Sequence, residues 1–288
     1  MDFIEVPAMS LEELLAYKFD TKKKYILHLN NDNINSIYDQ AHYDETHIIP
    51  KYISTKENIT EIILDDDVTS LCHGVVLNNK YLKKVYISKN IEYICSTAFS
   101  HCTVKFEVSP ENKLFYSENG ILYKNNGVLW RCAKKVKTLR VKSGIQYIWS
   151  HAFQSNTSLQ NIILPKGIEG IGVCSFENCS FLKSINFPLS VRTIDTSAFY
   201  NCVRMTSPVI LPNLENLGAG AFFGCNKLSN VRLSKLEYLG KDAFDFCDSL
   251  KEVSFLCTKK DFNSFKTSLG KEDLKITFEE EDYYDFFG

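Results

Sequence analysis

Ten cysteines and six histidines are the residues of this 288-residue chain best suited to chemistry, and in two places they stand side by side. Cys72-His73 and His101-Cys102, with Cys95 nearby, offer the thiolate and imidazole donors of a zinc site, or the nucleophile and base of a thiol dyad. The spacing argues against both readings. No C-x-x-C pair occurs, and adjacent residues on a strand or turn point apart. G-x-S-x-G, H-E-x-x-H, P-loop and dinucleotide fingerprints are also missing. The sequence therefore predicts no enzyme, no catalytic residue, no metal and no cofactor.

The cysteines have a different explanation. The phrase A-F-x-x-C, or a near copy, recurs six times, with its phenylalanines at Phe99, Phe153, Phe176, Phe199, Phe222 and Phe244. From Phe153 onward the steps are 23, 23, 23 and 22 residues. A fixed period in the twenties marks a solenoid, so a chain of this length reads as one stack rather than two domains. Cys102, Cys179, Cys202, Cys225 and Cys247 all lie three residues after a repeat phenylalanine, where Asn156 stands in the one full repeat without cysteine. Cys72 and Cys95 share another repeat position. This pattern reads as small, buried, stackable side chains. Neighbouring rungs bring such cysteines to roughly 5 Å between Cα atoms, within disulfide range, so bridging under oxidising conditions stays open.

The elements that position these residues follow from residues 159–181, LQNIILPKGIEGIGVCSFENCSF. Ile162 and Leu164 alternate with Asn161 and Ile163, which is strand periodicity, and Pro165, with no N–H for a ladder, ends the strand. Ile168 and Ile171 follow, then Gly172 as a turn glycine, with Gly218 and Gly240 at the same position. The segment around Ser175 to Asn178 is too short for a stable helix and reads as a turn. The same register gives strands centred on Ile63, Tyr86, Glu107, Arg140, Ile163, Asn186, Ile210, Arg232 and Ser254. Two rungs are irregular. In one, Val76 takes the phenylalanine place. The other carries FYSENGILYKNNGVLW, whose Asn119-Gly120 and Asn126-Gly127 are hairpin turns, so a hairpin standing off the coil is expected at about 111–135.

Both ends of such a stack need covers. Residues 1–58 are expected to form the N-terminal cap. Within it the capping box Ser10-x-x-Glu13 opens a helix, LEELLAYK, and YILHL at 25–29 is a strand. The solenoid then spans 59–256. Residues 257–278 form the C-terminal cap, an amphipathic helix with Phe262, Phe265 and Leu269 inward followed by the strand LKITF. EEEDYYDFFG at 279–288 is an acidic aromatic tail.

The unit L-x-x-I-x-L-P-x-x-I-x-x-I-G-x-x-A-F-x-x-C resembles the BspA-like leucine-rich repeat over roughly residues 59–256, and the inserted hairpin resembles a variant rung of that family. The resemblance implies a leucine-rich-repeat solenoid: a right-handed stack of short coils with a parallel β-sheet on one face, short strands and turns on the other, and α/β caps. It also implies roles in adhesion and protein–protein binding, often at microbial surfaces, with no catalytic residues. Set against surface display, the N-terminus is acidic and has no apolar signal region, and no stretch is long and apolar enough to span a bilayer. The cytoplasm is the compartment these features favour, with the cell surface as the alternative that the resemblance implies.

The formal charge of −2 provides no global field for nucleic acid or acidic membranes. The cluster of Lys134, Lys135, Lys137, Arg140 and Lys142 reads as a solvated face. What remains is the outward column of the strands. Core positions repeat, whereas Ile63, Tyr86, Glu107, Arg140, Ile163, Asn186, Ile210 and Arg232 do not. Apolar groups with Tyr and Arg among them have the chemistry of a binding hot spot. The expected function is a non-enzymatic interaction module whose sheet binds a protein, or a glycan or other cell-surface ligand, with no nucleic acid and no membrane insertion. The alternative is a structural spacer whose partners dock on the inserted hairpin or the C-terminal tail.

Overall fold

A computed structural model describes residues 3–31, 56–71, 76, 79–133, 135–265 and 274–279. The chain forms two compact units, Met1–Lys134 and Lys135–Gly288. Each is a stack of short β-coils with little helix.

In the first unit, five parallel strands lie in the order Phe3–Val6, Lys24–Leu29, Ile59–Leu64, Lys84–Ile87 and Lys105–Val108. Alternation divides each strand: Tyr25, Leu27 and Leu29 are buried while Lys24, Ile26 and His28 face outward, and Ile62 and Leu64 are buried beside half-exposed Ile63. The capping box forms as expected. Glu13 N–H donates to Ser10 Oγ, and Ser10 N–H donates to Glu13 Oε2 at 2.8 Å. The helix it opens, Leu11–Ala16, stops two residues short of the sequence expectation because Tyr17 is extended. Ser70–Leu71 and Tyr93–Ile94 pair on the opposite wall.

Val76 does occupy the phenylalanine place. It is fully buried, its N–H donates to Ala98 O, and the Cys102 thiol donates to its carbonyl. The inserted segment departs from expectation. Phe115–Glu118, Ile121–Lys124 and Val128–Arg131 form a three-stranded antiparallel meander, with positive φ at Asn119, Gly120 and Gly127. It does not stand off the coil. Phe115, Leu122, Val128 and Trp130 are buried in the unit's hydrophobic core, because the segment is apolar on too many positions to be a solvated hairpin. Arg131, also buried, donates from Nη2 to Phe99 O at 3.0 Å.

In the second unit the strands form two walls. One wall contains Thr138–Arg140, Asn161–Ile163 and Ser184–Ile185, then a separate parallel sheet of Val209–Leu211, Val231–Ser234, Glu252–Leu256 and Lys275–Phe278. The ladder breaks where Pro208 has no N–H to give; there the Ser207 hydroxyl accepts from Ile185 N–H at 2.9 Å. The other wall is a ladder of two-residue strands, Tyr147–Ile148, Gly170–Ile171, Thr193–Ile194, Asn216–Leu217 and Tyr238–Leu239.

Between the walls the repeat phenylalanines stack face to face. Phe153, Phe176, Phe199, Phe222 and Phe244 have successive centroid separations of 4.8, 5.0, 5.1 and 5.6 Å and interplanar angles of 6° or less. Each turn that holds them has two residues at positive φ, four positions apart. His151, Cys174, Ser197, Gly220 and Asp242 have positive φ, as do Ser155, Asn178, Asn201, Gly224 and Phe246. Every second N–H of these turns points along the stack: Phe153, Phe176 and Phe199 each donate to the next rung at 2.7 Å, and Ser155, Asn178 and Asn201 do so at 2.8 Å. The thiols run the other way: Cys179, Cys202, Cys225 and Cys247 donate to the carbonyls of Phe153, Phe176, Phe199 and Phe222 at 3.1–3.2 Å. All nine described cysteines are free thiols.

The glycines also need correcting. None of Gly172, Gly218 and Gly240 has the positive φ of a turn glycine. They are required by close approach: a Cβ on Gly218 would lie 2.2 Å from Thr196 N, and one on Gly240 would lie 2.1 Å from Ala219 N. At the C-terminal end, helix Lys259–Phe265 seats Phe262 between Phe255 and Phe278, with ring centroids 4.8 and 5.4 Å away. The Phe265 side chain, Leu269 and tail residues 280–288 lie outside the described set, as do Cys72 and His73.

Candidate interaction surface

In the first unit the register places Ile63 opposite Tyr86 and Tyr86 opposite Glu107, so these three form one outward row with neighbours roughly 4.8 Å apart. His28 pairs with Ile63, and Ile26 with Glu61. Phe3 and Glu5, on the first strand, complete the face. The sequence reading treated residues 1–58 as a cover and missed Phe3, Ile26 and His28, although the alternation in YILHL identifies the last two. Lys84 ties the row together, its Nζ lying 2.9 Å from Glu61 Oε2 and 3.5 Å from Glu107 Oε2. The hydrogen bond it donates to Glu61 holds the Lys84 ammonium above its ordinary pKa, with the charges of Glu61 and Glu107 adding to it. His28 Nδ1 meets Asp65 Oδ1 at 2.8 Å. The face is thus apolar at Phe3, Ile26, Ile63 and Tyr86, with paired charges between.

In the second unit Arg140 and Ile163 are register partners, and Ile210 pairs with Arg232, which pairs with Ser254. Arg140 is exposed, Ile163 half-buried and Ile210 37% exposed. Two predicted residues are already committed. Asn186 lies one residue beyond its strand, and its amide accepts from Leu164 N–H at 2.7 Å and donates to Leu164 O at 3.0 Å, continuing the ladder with a side chain. Arg232 is ion-paired with Glu279, next to the last strand. The strands carrying Asn186 and Ile210 are not hydrogen-bonded to each other.

Further exposed aromatics lie elsewhere. Tyr93, Tyr147 and Tyr238 share the outward position of the two-residue strands, at 56%, 42% and 55% exposure. Tyr147 lies close over Gly170, where a Cβ would come within 2.8 Å of its ring, and donates from its hydroxyl to Glu169 Oε2 at 3.0 Å. A row of turn aromatics adds Tyr200 and Phe223, stacked at 4.7 Å, and exposed Phe246. Sequence reasoning passed over this second wall because it followed only the longer strands. The non-repeating residue just before the last isoleucine of each unit, the position of Ile148 and Ile171, was the available signal.

Among the described donors of the first unit, Cys95, His101 and Cys102 face different partners. Cys102 is buried against Val76 O while His101 is exposed, and Cys95 Sγ faces Thr97 Oγ1 at 3.1 Å. Among the described residues no helix is long and apolar enough to cross a membrane.

The model of the BspA type leucine-rich repeat region matches in six copies over residues 43–126 and 146–269. The chain belongs to this family. Among solved structures, it is similar to the pneumococcal vaccine antigen PcpA, at 19% identity and a TM-score of 0.65 over 98% of this chain and 72% of that one. A leucine-rich cell surface protein from Faecalibacterium prausnitzii A2-165 gives 18% identity and a TM-score of 0.62 over 92% of this chain and 82% of that one. A leucine-rich repeat protein from Bacteroides ovatus gives 16% and 0.51 over 96% and 66%. A search of curated protein sequences gave no significant match. At these identities the structures establish the fold, a parallel leucine-rich-repeat solenoid.

Proposed function

We propose that the chain is a non-enzymatic protein-binding module whose partner lies along the parallel sheet, in an adhesive or host-contacting setting. The observation that supports this reading is the outward row Ile63–Tyr86–Glu107, extended by Phe3, Ile26 and His28. It is a varied, partly apolar face with its charges in pairs, on a scaffold whose inward positions repeat. Arg140, Ile163 and Ile210 are the corresponding contacts in the second unit. Asn186 and Arg232 are assigned to the scaffold instead. The family's general use as an interaction scaffold agrees with this reading, and PcpA and the Faecalibacterium protein are described as an antigen and a cell surface protein.

Affinity capture from cell extracts tests it. Tyr86→Asp combined with Ile63→Glu should reduce recovery of the bound protein at least tenfold, as expected for hot-spot loss of about 2 kcal/mol or more, with an unchanged thermal midpoint. Tyr238→Asp should leave recovery intact. The opposite pattern would favour a second reading, in which exposed Tyr147 and Tyr238 make the two-residue-strand wall the docking face.

A further inference from the structure

We infer that His151, Cys174 and Glu177 form a binding site for a divalent zinc-class cation. The three come from two successive rungs. His151 and Cys174 occupy the same repeat position, 23 residues apart, and stacking sets one on the other. Glu177 lies one turn further along the rung of Cys174. One ligand atom from each, an imidazole nitrogen, a sulfur and a carboxylate oxygen, lies within 4.8 Å of the others, and all three residues are half-buried. Ligands about 2.0–2.3 Å from a tetrahedral zinc lie roughly 3.3–3.7 Å apart. Side-chain rotations that contract the set by about an ångström therefore complete it, leaving a fourth position for water.

The backbone beneath these side chains is fixed. His151 and Cys174 are both held at positive φ, 58° and 51°, by N–H bonds to the next rung at Val173 O and Thr196 O. The carboxylate is also oriented. Gln154 Nε2 donates to Glu177 Oε2 at 2.7 Å, Asn178 Nδ2 to Oε1 at 3.2 Å, and Asn201 Nδ2 to Asn178 Oδ1 at 3.2 Å. Such outer hydrogen bonds aim ligating side chains at metals. Gln154 Oε1 is buried with no hydrogen-bond partner among the described residues, an acceptor suited to a metal-bound water.

The donor set separates a cation site from a nucleophile. A half-buried thiol beside a carboxylate is a poor nucleophile, whereas a divalent cation removes its proton outright. On binding, the Cys174 S–H bond breaks, the sulfur–metal bond forms and one proton leaves to solvent. The resulting centre of M²⁺, Cys thiolate, Glu carboxylate and neutral His carries zero net charge, so a half-buried site holds it without an uncompensated ion. The mixed nitrogen, sulfur and oxygen set matches zinc rather than calcium or magnesium, which take oxygen ligands.

The test uses the full chain in metal-free reducing buffer, titrated with Co²⁺ and then Zn²⁺. The expected result is one equivalent of Co²⁺ bound with a thiolate-to-cobalt charge-transfer band, which Zn²⁺ then displaces. Cys174→Ser should abolish the band, and Glu177→Gln and His151→Ser should each weaken binding at least tenfold. These variants place residues the fold already accepts in the same register of a neighbouring rung, Ser197 and Gln154, and far-ultraviolet dichroism checks that they fold. A variant-free arm follows alkylation by peptide mass spectrometry: Zn²⁺ should slow modification of Cys174 at least tenfold and leave half-buried Cys95 unchanged. A band that persists in Cys174→Ser, no band at one equivalent, or alkylation of Cys174 indifferent to Zn²⁺ would each overturn the site.

Discussion

Each ladder thiol does more than fill space. Cys202 and Cys225 are fully buried and donate to the preceding rung's phenylalanine carbonyl at 3.2 Å. Burial pushes both thiols well above their ordinary pKa, and pushes Cys102 from 9.0 to about 11. The sign follows from linkage. A folded-state pKa raised above the unfolded value contributes stability that is complete below about pH 9 and is lost as pH rises through the folded value. For Cys102 alone this is on the order of 3 kcal/mol between pH 9 and 11, with Tyr123, also raised by burial, adding in the same direction. Urea midpoints should thus be flat from pH 7 to 8 and fall steeply above 9. Replacing Cys202 and Cys225 with alanine should lower the midpoint at pH 7 and flatten the alkaline slope; a slope unchanged by the replacement would disprove the account. The sequence already placed these cysteines in the core, since burial repeats with the period. Their acceptor was not legible, because it belongs to a residue 25 or 26 positions earlier and exists only once rungs stack. His151, Cys174 and Glu177 were illegible for the same reason: they are not neighbours in sequence and meet only in register.

At the scale of the element, the strands, the capping box, the phenylalanine column and Val76 in its substitute role were readable from periodicity and local chemistry. The errors share one cause, the distance between backbones. Gly172, Gly218 and Gly240 read as turn glycines because glycine has two uses, and only coordinates separate a positive φ from a close approach. Gly218→Ala should therefore destabilise by about 1–3 kcal/mol, the usual cost of overpacking, although alanine tolerates the φ there. Chemical denaturation measures this, with Gly144→Ala as a contrast: that glycine has a φ of 84° and open space around its Cβ, so its cost is the backbone strain of about 1–2 kcal/mol alone. The meander was misplaced by the same kind of limit. Two Asn-Gly turns correctly signal antiparallel strands, but whether those strands leave the coil or enter it depends on apolar partners, such as Phe106 and Phe99, that the local pattern does not name.

At the scale of the whole molecule, a solenoid's stability sums over neighbouring rungs. Removing residues 171–193 joins Gly170 to Ile194, the register equivalent of Ile171. The shortened chain should stay folded and cooperative, with a lower thermal midpoint and an unchanged shape of the far-ultraviolet dichroism spectrum; loss of folded signal would show that the rungs are not interchangeable. The family and its fold were legible from the repeat, because a period constrains every inward position at once. The proposed binding face was less so. Outward positions do not repeat, and the hydrogen bonds of Asn186 and the ion pair of Arg232 with Glu279 take two of the predicted contacts into the scaffold.

The turn hydrogen bonds give the stack a chemical direction. Each rung sends amide N–H groups toward the following rung and receives thiol S–H groups from it, so its two ends are not alike, much as the ends of a growing polymer differ. The last turn meets this asymmetry within itself. At Ser155, Asn178, Asn201 and Gly224 the N–H donates to the next rung, whereas Phe246 N–H donates to the Asp245 carboxylate at 3.0 Å. Asp245 stands where earlier rungs have Gln154, Glu177, Tyr200 and Phe223. Its side chain supplies the acceptor that another rung would bring, and so acts as a terminator written into the repeat.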